Sequence, residues 1–305
     1  MEFKSATLPI NLKDGLYLDA NTARDFGEAL VGEYCFAEPF PHIVIDNFLP
    51  TEFIEKLLQN FPVEKKDNDK VYEKGYGGLH KRQIFPNDCN QYIRDAFNFF
   101  NSSSILRFIE GITSINGMLP DPYFTGGGFH EISTGGLLGI HSDFRVNENL
   151  QLFRRVNMLI YLNKDWKEEY GGKLELWDQA MTGVAHSITP VFNRCVIFNT
   201  DAKSFHGHPE PLATPQGITR KSIALYYYTA LEVKNEGKYA DHTLYVARPN
   251  DSAQVKSEVK KMAVKRDKRA KKYSRESKKN VISSFIRQLK SEVKTKISRV
   301  FKADK

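Results

Sequence analysis

Cysteine is scarce in this sequence, and long apolar runs are missing. The 305 residues include three cysteines, Cys35, Cys89 and Cys195, at wide spacing and with no CxxC pair. An odd, scattered set argues against a disulfide framework, and the missing CxxC excludes a zinc site built from thiolates. No stretch approaches the roughly 18 apolar residues of a membrane span, and residues 1–15 show no basic-then-apolar leader. We therefore expect a cytoplasmic protein.

Charge is unevenly divided along the chain. Residues 255–305 hold 19 Lys and Arg against 5 Asp and Glu, whereas residues 1–254 hold 25 against 32. The formal net charge of +7 therefore arises from the C-terminal segment, because the rest of the chain is acidic. With 41% hydrophobic and 27% charged residues, the composition is globular, which excludes a mainly disordered or collagen-like chain.

The order of predicted elements indicates an α+β fold. A short β-branched strand over 43–45 precedes a helix that has Thr51 as its N-cap. Helical spacing of apolar residues predicts one broken or two short helices over 92–115, and 65–80 reads as an exposed loop. Segments rich in β-branched and aromatic residues predict strands over 129–145, 155–163, 173–178, 185–200 and 220–230. Helices followed by strands suggest helices packed on one face of a β sandwich or barrel.

Two histidines and an aspartate suggest a metal site. His141 and Asp143 lie two residues apart at the end of a Gly-rich strand, so their side chains point to the same face. His206 lies on a later strand, and two imidazoles with one carboxylate are the ligand set of non-haem Fe(II) oxygenases. An HxD triplet alone is a weak signal, and His208 is a rival ligand. Arg220 strengthens the prediction, because a cation heading an otherwise apolar strand can grip a carboxylate.

An ordered set of motifs carries a resemblance to a known family. The motifs are PFPHIVIDNFLPTEFIEKLLQNFP, GIHSD, VNMLIYLNKDW, GGKLELW, FNTDAKSFHGHP and TRKSIALYYY, within residues 37–232. In this order they resemble the prolyl 4-hydroxylase-like Fe(II)/2-oxoglutarate-dependent oxygenases. The resemblance implies a double-stranded β-helix, a jelly-roll core with flanking helices. It also implies an Fe(II) cofactor, 2-oxoglutarate as cosubstrate, ascorbate as a candidate accessory reductant, and hydroxylation of an unactivated C–H bond.

The resemblance assigns roles to individual residues. His141, Asp143 and His206 match the family's iron ligands, and Arg220 matches the basic residue that pairs with the C5 carboxylate of 2-oxoglutarate. Tyr161 matches a tyrosine that in some members hydrogen-bonds the same carboxylate; a packed strand tyrosine is the alternative. A carboxylate at position 143 favours hydroxylation, since related halogenating enzymes have a small residue there.

Strand alternation, and one difference from the family's motif, identify further positions near the cosubstrate. Asn157 shares a strand face with Tyr161, so we expect it to line the same pocket. Some members have a tyrosine ten residues before the first ligand, and this chain has Glu131 there, which puts the surroundings of the chelating end in doubt. His130 is expected to be a structural histidine. In the Gly-rich segment 72–82, Lys81 and Arg82 would favour an anionic substrate if this segment closes over it; an exposed connector is the alternative.

The chain is expected to divide into three parts, an N-terminal segment over 1–36, the oxygenase domain over 37–249 and a basic tail over 250–305. Within the tail, 281–301 has apolar residues at spacings of three and four among Lys and Arg, which is typical of a basic amphipathic helix. That helix could lie on an anionic membrane surface, giving a peripheral location, or dock on a partner protein, on nucleic acid or on the chain's own body.

The substrate class is a peptide, an amino acid or a sugar-type molecule, which the sequence does not narrow further. Two other functions compete with a hydroxylase of this kind. One is a nucleic-acid-directed oxygenase anchored by the tail, and the other is a non-catalytic binding module that works through the tail. The first would need an aromatic pocket for a flipped base, and the intact motif set argues against the second.

Overall fold

The structure, a computed structural model, describes residues 3–13, 15–230 and 243–268. The chain divides into two compact units, residues 1–260 and residues 261–305. The fold and the site lie in the first unit, and the predicted amphipathic segment over 281–301 lies outside the described residues. Within the described ranges, no helix has the length and apolarity needed to cross a bilayer.

Among the described residues of the first unit are fourteen strands and, before residue 114, five α-helices. The helices are α1 (Ala20–Glu28), α2 (Val31–Cys35), α3 (Thr51–Gln59), α4 (Gln91–Phe100) and α5 (Ser103–Thr113). The strands are β1 (Lys4–Ser5), β2 (His42–Asp46), β3 (Lys70–Tyr72), β4 (Leu79–Ile84), β5 (Leu119–Pro120), β6 (Gly128–Ser142), β7 (Val146–Asn147), β8 (Leu152–Tyr161), β9 (Leu174–Trp177), β10 (Val184–Ile188), β11 (Cys195–Asn199), β12 (His206–His208), β13 (Arg220–Ala230) and β14 (Leu244–Tyr245). Residues 253–260 are also helical and end this unit.

The strands form two facing layers that share the long strand β6. In the larger layer the order is β1-β2-β11-β8-β13-β6, and β4 also pairs with the first half of β6. In the smaller layer the second half of β6 continues through β12 and β9 to β10, and β14 adds to its other side. Nearly all pairs are antiparallel. Strand β6 thus belongs to the larger layer in its first half and to the smaller layer in its second half. This arrangement confirms the predicted double-stranded β-helix.

Alternation along β8 separates the helix-facing side of the larger layer from its inner side. Val156, Met158 and Ile160 are fully buried in the cluster that includes α3, α4 and α5. Leu159 and Tyr161 instead pack with residues of the smaller layer. Because side chains alternate with a period of two, one strand supplies both the helix-packed core and the lining of the space between the layers.

Three local features differ from the sequence-based expectation. Helix α1 lies in the N-terminal segment, where the sequence predicted no element, and its N-cap is Asp19, whose side chain accepts a hydrogen bond from Thr22 N at 2.8 Å. Helix α3 has Pro50 rather than Thr51 at the N-cap position. The expected loop over 65–80 contains β3 and the start of β4, which pair as an antiparallel hairpin. Its residues lack the strict alternation that would identify strands from sequence alone.

Candidate active site

Three predicted metal ligands meet where β6 and β12 lie side by side. His141 and His206 are direct cross-strand partners, and Asp143 follows two residues after His141. The Nε2 atom of His141 is 3.6 Å from Asp143 Oδ1, and that of His206 is 3.5 Å from Asp143 Oδ2. The candidate ligand atoms of all three residues lie within 4.8 Å of one another. The structure therefore brings together one carboxylate and two imidazoles, as the spacing predicts.

Backbone carbonyls orient both imidazole rings. His141 Nδ1 lies 2.9 Å from Gly139 O, and His206 Nδ1 lies 2.9 Å from Ser204 O. Each Nδ1 therefore donates its proton to a carbonyl, which leaves Nε2 with a free lone pair. Burial, and then the neighbouring His141, lower the pKa of His206 to about 4. At neutral pH that ring is uncharged and available as a metal ligand.

The carboxylate of Asp143 has two further partners on β8. Arg154 Nη2 lies 2.9 Å from Asp143 Oδ2, and Asn157 Nδ2 donates to the same oxygen at 2.7 Å. Burial alone would raise the pKa of Asp143, but the Arg154 guanidinium and the two histidines hold it well below its usual range. The group is thus an ionised, oriented carboxylate, which a divalent cation requires.

Arg154 is a buried part of the site that the sequence did not identify. Its side chain is 1% exposed, and its guanidinium lies 3.5 Å from the centroid of the Tyr226 ring and 4.5 Å from that of Phe144. It also donates to Asn157 Oδ1 at 2.6 and 3.0 Å. Simple alternation from Asn157 would turn Arg155 inward, but a β-bulge in the β8–β13 pairing shifts the register and turns Arg154 inward instead.

Arg220 lines the same cavity from strand β13. Its Nε donates to Gly172 O at 2.8 Å, and its guanidinium contacts Tyr161, with Nη2 3.3 Å from the hydroxyl oxygen. Both side chains are nearly or fully buried. No carboxylate among the described residues pairs with Arg220, and burial lowers its pKa. A buried cation without a protein anion is well suited to an anionic ligand.

A cavity of about 310 Å³ joins the three converging residues to Arg154 and Arg220, whereas Tyr161 is not among its lining residues. Asn157 lines it, and its described hydrogen bonds run to Asp143 and Arg154; its predicted contact with cosubstrate stays a prediction. His208 also lines it and is 3% exposed, yet neither ring nitrogen has a hydrogen-bond partner in the part of the chain that the structure describes. His208 is not among the three residues whose ligand atoms converge.

The structure places His130 and Glu131 on opposite sides of β6. His130 lines the cavity, and its Nε2 lies 2.9 Å from Gly126 O. Glu131 instead pairs with Arg82 Nη1 at 2.9 Å and accepts from Thr219 Oγ1 at 2.8 Å. Neither partner lines the cavity. His130, rather than Glu131, is therefore the side chain of this pair that faces the cavity.

A segment far along the chain completes the wall beside the metal group. Strand β14 pairs with Ser142 and His141 of β6, and the ring of Tyr245 lies 5.4 Å from that of His141. Tyr245 donates to Gly77 O at 3.1 Å, which ties this strand to the turn after β3. Tyr245 carries no motif around it, so the sequence offered no signal for its place in the site.

A comparison with protein families matches residues 127–228 to the sequence model of the 2OG-Fe(II) oxygenase superfamily. This segment contains the converging histidines and aspartate, as well as Arg220. The chain contains a 2OG-Fe(II) oxygenase domain. The predicted resemblance is thus confirmed at the level of the superfamily. A search among curated proteins found no significant match.

Solved structures similar to this chain include two prolyl hydroxylases and the protein HygX. A Trichoplax adhaerens prolyl hydroxylase, in complex with a hypoxia inducible factor peptide fragment, is 19% identical, with a TM-score of 0.46, covering 68% of this chain and 91% of its own. A Pseudomonas putida prolyl-4-hydroxylase is 17% identical, with a TM-score of 0.46, covering 67% and 99%. HygX from Streptomyces hygroscopicus, with nickel and 2-oxoglutarate bound, is 11% identical, with a TM-score of 0.44, covering 66% and 92%. Because these TM-scores are below 0.5, the oxygenase domain is assigned from the family match over residues 127–228 and from the geometry of the site.

The oxygenase domain's residues fit the cofactor and cosubstrate of the superfamily, Fe(II) and 2-oxoglutarate. Two imidazoles, His206 uncharged at neutral pH, and one ionised carboxylate form a donor set that suits Fe(II) and leaves coordination positions open. Arg220, buried and without a protein carboxylate, suits an acid such as 2-oxoglutarate. The cavity between them connects the two sites.

Proposed function

We propose that this oxygenase hydroxylates an unactivated C–H bond, with Fe(II) held by His141, Asp143 and His206. The observation that carries the proposal is that the ionised Asp143 carboxylate lines the same cavity as Arg220, which has no carboxylate partner among the described residues. A carboxylate occupies the position where related halogenating enzymes have a small residue, so hydroxylation is the favoured outcome. By resemblance, Arg220 and Tyr161 hold the C5 carboxylate of 2-oxoglutarate.

The chain's own residues bind, orient and exclude water. When bound, the iron supplies dioxygen activation coupled to decarboxylation of 2-oxoglutarate to succinate and CO2. Gly139 and Ser204 carbonyls keep both Nε2 atoms directed at the metal, and Arg154 keeps Asp143 ionised. Tyr245 covers one side of His141. A preformed site with buried ligand residues keeps a reactive centre away from bulk water.

To test the proposal, the protein is loaded with Fe(II) and 2-oxoglutarate in the absence of oxygen. O2 is then admitted, and the succinate that forms is measured. Arg220→Ala should raise the KM for 2-oxoglutarate by about a hundredfold or more, because leaving a buried carboxylate without its partner costs about 3–5 kcal/mol. Lys221→Ala is the matched control, since Lys221 is the next residue on β13 and lies 3.9 Å from the outward-facing Glu131. An unchanged KM for Arg220→Ala would contradict the proposed cosubstrate site.

The substrate is proposed to be a peptide, an amino acid or a sugar-type molecule, as the prolyl-hydroxylase-like resemblance suggests. A nucleic-acid-directed oxygenase is not favoured. Its flipped base would need free aromatic surfaces, and two rings of the cavity, Phe144 and Tyr226, already contact the Arg154 guanidinium. A non-catalytic module is not favoured either, because the complete ligand group and Arg220 are retained.

A further inference from the structure

Two adjacent cations on β4 have opposite surroundings. Arg82 is 5% exposed and pairs with Asp69 at 2.8 Å and Glu131 at 2.9 Å, so its charge is matched within the protein. Lys81, one residue earlier, turns to the other side of the strand and lines the cavity. Only one of the two cations noted in the sequence is therefore available to a ligand.

Lys81 has no anionic partner among the described residues. Its Nζ lies 5.2 Å from the centroid of the Tyr72 ring, and no carboxylate of the described residues comes within ion-pair distance. Burial lowers the pKa of Lys81 to about 8, while Asp143 opposes that shift. The side chain therefore remains mostly protonated at neutral pH, as an ammonium group held against an aromatic ring in a cavity.

The formal charges around the cavity are unbalanced. Among the described lining residues, three cations, Lys81, Arg154 and Arg220, face one carboxylate, Asp143. Arg154 is matched by Asp143, and Arg220 would be matched by 2-oxoglutarate. A bound Fe(II) and a 2-oxoglutarate dianion together add no net charge, so three cations against one carboxylate leave the lining at a formal +2. Within that sum, Lys81 is the cation that faces neither a described carboxylate nor the proposed position of the 2-oxoglutarate carboxylate.

Lys81 and Arg220 differ in their accessibility. Both lie opposite Ile132 in the pairings of β6, so their backbones flank the same residue. The Arg220 guanidinium is buried and contacts Tyr161, which is fully buried. Lys81 is only partly buried, and its ammonium lies over Tyr72, which is also partly buried. Of the two cations, Lys81 is therefore the more accessible to a second molecule that enters the cavity.

A second polar group without a partner faces the same cavity. His208 is 3% exposed, and neither ring nitrogen has a hydrogen-bond partner among the described residues. Buried polar groups in native proteins are nearly always hydrogen-bonded, so a ligand or a water in the cavity supplies the partners of this ring. Lys81 and the N–H of His208 therefore present two hydrogen-bond donors to an occupant of the same cavity.

Taking the proposed function as given, we propose that Lys81 binds an anionic group, a carboxylate or a phosphate, on the substrate. Tyr72 holds the ammonium in place from one side, and the anion approaches from the cavity. The substrate would thus be an acid, which narrows the peptide, amino acid and sugar-type classes to members that carry a negative charge near the reacting carbon.

The test uses the full chain loaded with Ni(II) and 2-oxoglutarate, so that the cosubstrate already occupies Arg220. Isothermal calorimetry then measures the binding of three probes, inorganic phosphate, inorganic pyrophosphate and acetate. Lys81→Met removes the charge while retaining an unbranched side chain, and Lys81→Arg restores a cation. Lys74→Met is the matched control, because Lys74 Nζ also lies 5.2 Å from the Tyr72 ring centroid but is exposed and does not line the cavity.

We expect at least one probe to bind the wild type, Lys81→Arg and Lys74→Met alike, and to bind Lys81→Met about tenfold more weakly. A charge-assisted hydrogen bond supports a loss of that size. If no probe distinguishes the wild type from Lys81→Met, or if Lys74→Met shows the same loss, the proposal is wrong. If Lys81→Met weakens 2-oxoglutarate binding instead, Lys81 belongs to the cosubstrate site and the proposal is also wrong.

Failure of the proposed function gives a separate signal. In that case the Fe(II)-loaded wild type forms no succinate from 2-oxoglutarate when O2 is admitted. The calorimetry with Ni(II) needs no turnover, so it reports on Lys81 independently of that result.

Discussion

The two histidines on β12 differ in what surrounds their ring nitrogens. His206 Nδ1 donates to Ser204 O and its Nε2 faces Asp143, whereas neither nitrogen of His208 has a hydrogen-bond partner among the described residues. We therefore expect His206→Ala to lose most of its bound iron, measured by elemental analysis after reconstitution. His208→Ala should retain it. The opposite pattern, with metal lost from His208→Ala alone, would show that the ligand assignment is wrong.

Arg154 offers a second prediction for a single side chain, this time for stability. Replacing it by Met leaves Asp143 buried without its cation, which should lower the free energy of unfolding by about 3–5 kcal/mol. Arg155→Met is the matched control, because Arg155 is its neighbour on β8, is only partly buried and has no carboxylate partner among the described residues. Urea unfolding of the metal-free protein at neutral pH measures both. Equal losses would contradict the inward position of Arg154.

The contrast between Arg154 and the iron ligands shows how far the sequence predicts the site. His141 and Asp143 could be placed because strand alternation holds between them, and Arg220 because it heads an apolar strand. Arg154 could not, since a β-bulge between Asn157 and Arg154 reverses the alternation. Tyr245 could not either, because its contact with His141 joins positions about a hundred residues apart with no local motif.

At the scale of whole elements, α1 and α5 pack through two glycines. A Cβ on Gly111 would lie 2.5 Å from Arg24 O, and one on Gly27 would lie 2.4 Å from Phe108 O. In each case the obstacle is the backbone of the facing helix, which cannot move aside as a side chain can. The two helices therefore approach closely only because both positions lack a side chain.

Gly111→Ala should consequently destabilise the protein by about 1–3 kcal/mol, the usual cost of overpacking. Thermal or urea unfolding measures the change. Gly32→Ala on α2 is the control, since a Cβ there would meet nothing within 4 Å. It should be neutral or stabilising by up to about 1 kcal/mol. A Gly111→Ala protein as stable as Gly32→Ala would show that the helices are not packed this closely.

The sequence predicted the apolar strands of the fold better than the polar ones. Strands β6, β8, β9, β11 and β13 are rich in β-branched and aromatic residues, and all lie within predicted segments or overlap them. The hairpin of β3 and β4 was missed because its segment is polar and Gly-containing. Its order comes from tertiary contacts instead, since Tyr76 is buried and hydrogen-bonds Ile140 N at 3.2 Å.

At the scale of the molecule, the first compact unit ends about ten residues after the boundary that the sequence predicts for the oxygenase domain. The predicted boundary near residue 250 stays a prediction. The first compact unit extends to Lys260, and within it Glu258 accepts a hydrogen bond from Tyr76 N at 3.3 Å, while Val259 is buried. A truncation that spares these contacts, ending at Lys268, is therefore the better means of isolating the remaining tail.

The remaining tail, residues 269–305, carries 13 Lys and Arg against 3 Asp and Glu. It includes the predicted amphipathic segment over 281–301, which lies outside the described residues. Near an anionic bilayer each basic residue contributes about 1 kcal/mol, within about a Debye length of the surface. Apolar residues at helical spacing, such as Phe285, Ile286 and Leu289, could then enter the headgroup boundary.

We therefore expect the full chain to sediment with anionic phosphatidylserine vesicles at low salt, and the chain ending at Lys268 to stay in the supernatant. Neutral phosphatidylcholine vesicles are the control and should sediment neither chain, because a single amphipathic segment without charge attraction binds weakly. High salt should release the full chain, since screening removes most of the attraction.

Both chains should form succinate from 2-oxoglutarate at similar rates, because the metal group, Arg220 and Tyr245 all precede residue 268. If the full chain does not sediment with anionic vesicles, the membrane prediction is wrong. If the shorter chain fails to fold, residues 269–305 are part of the folded core.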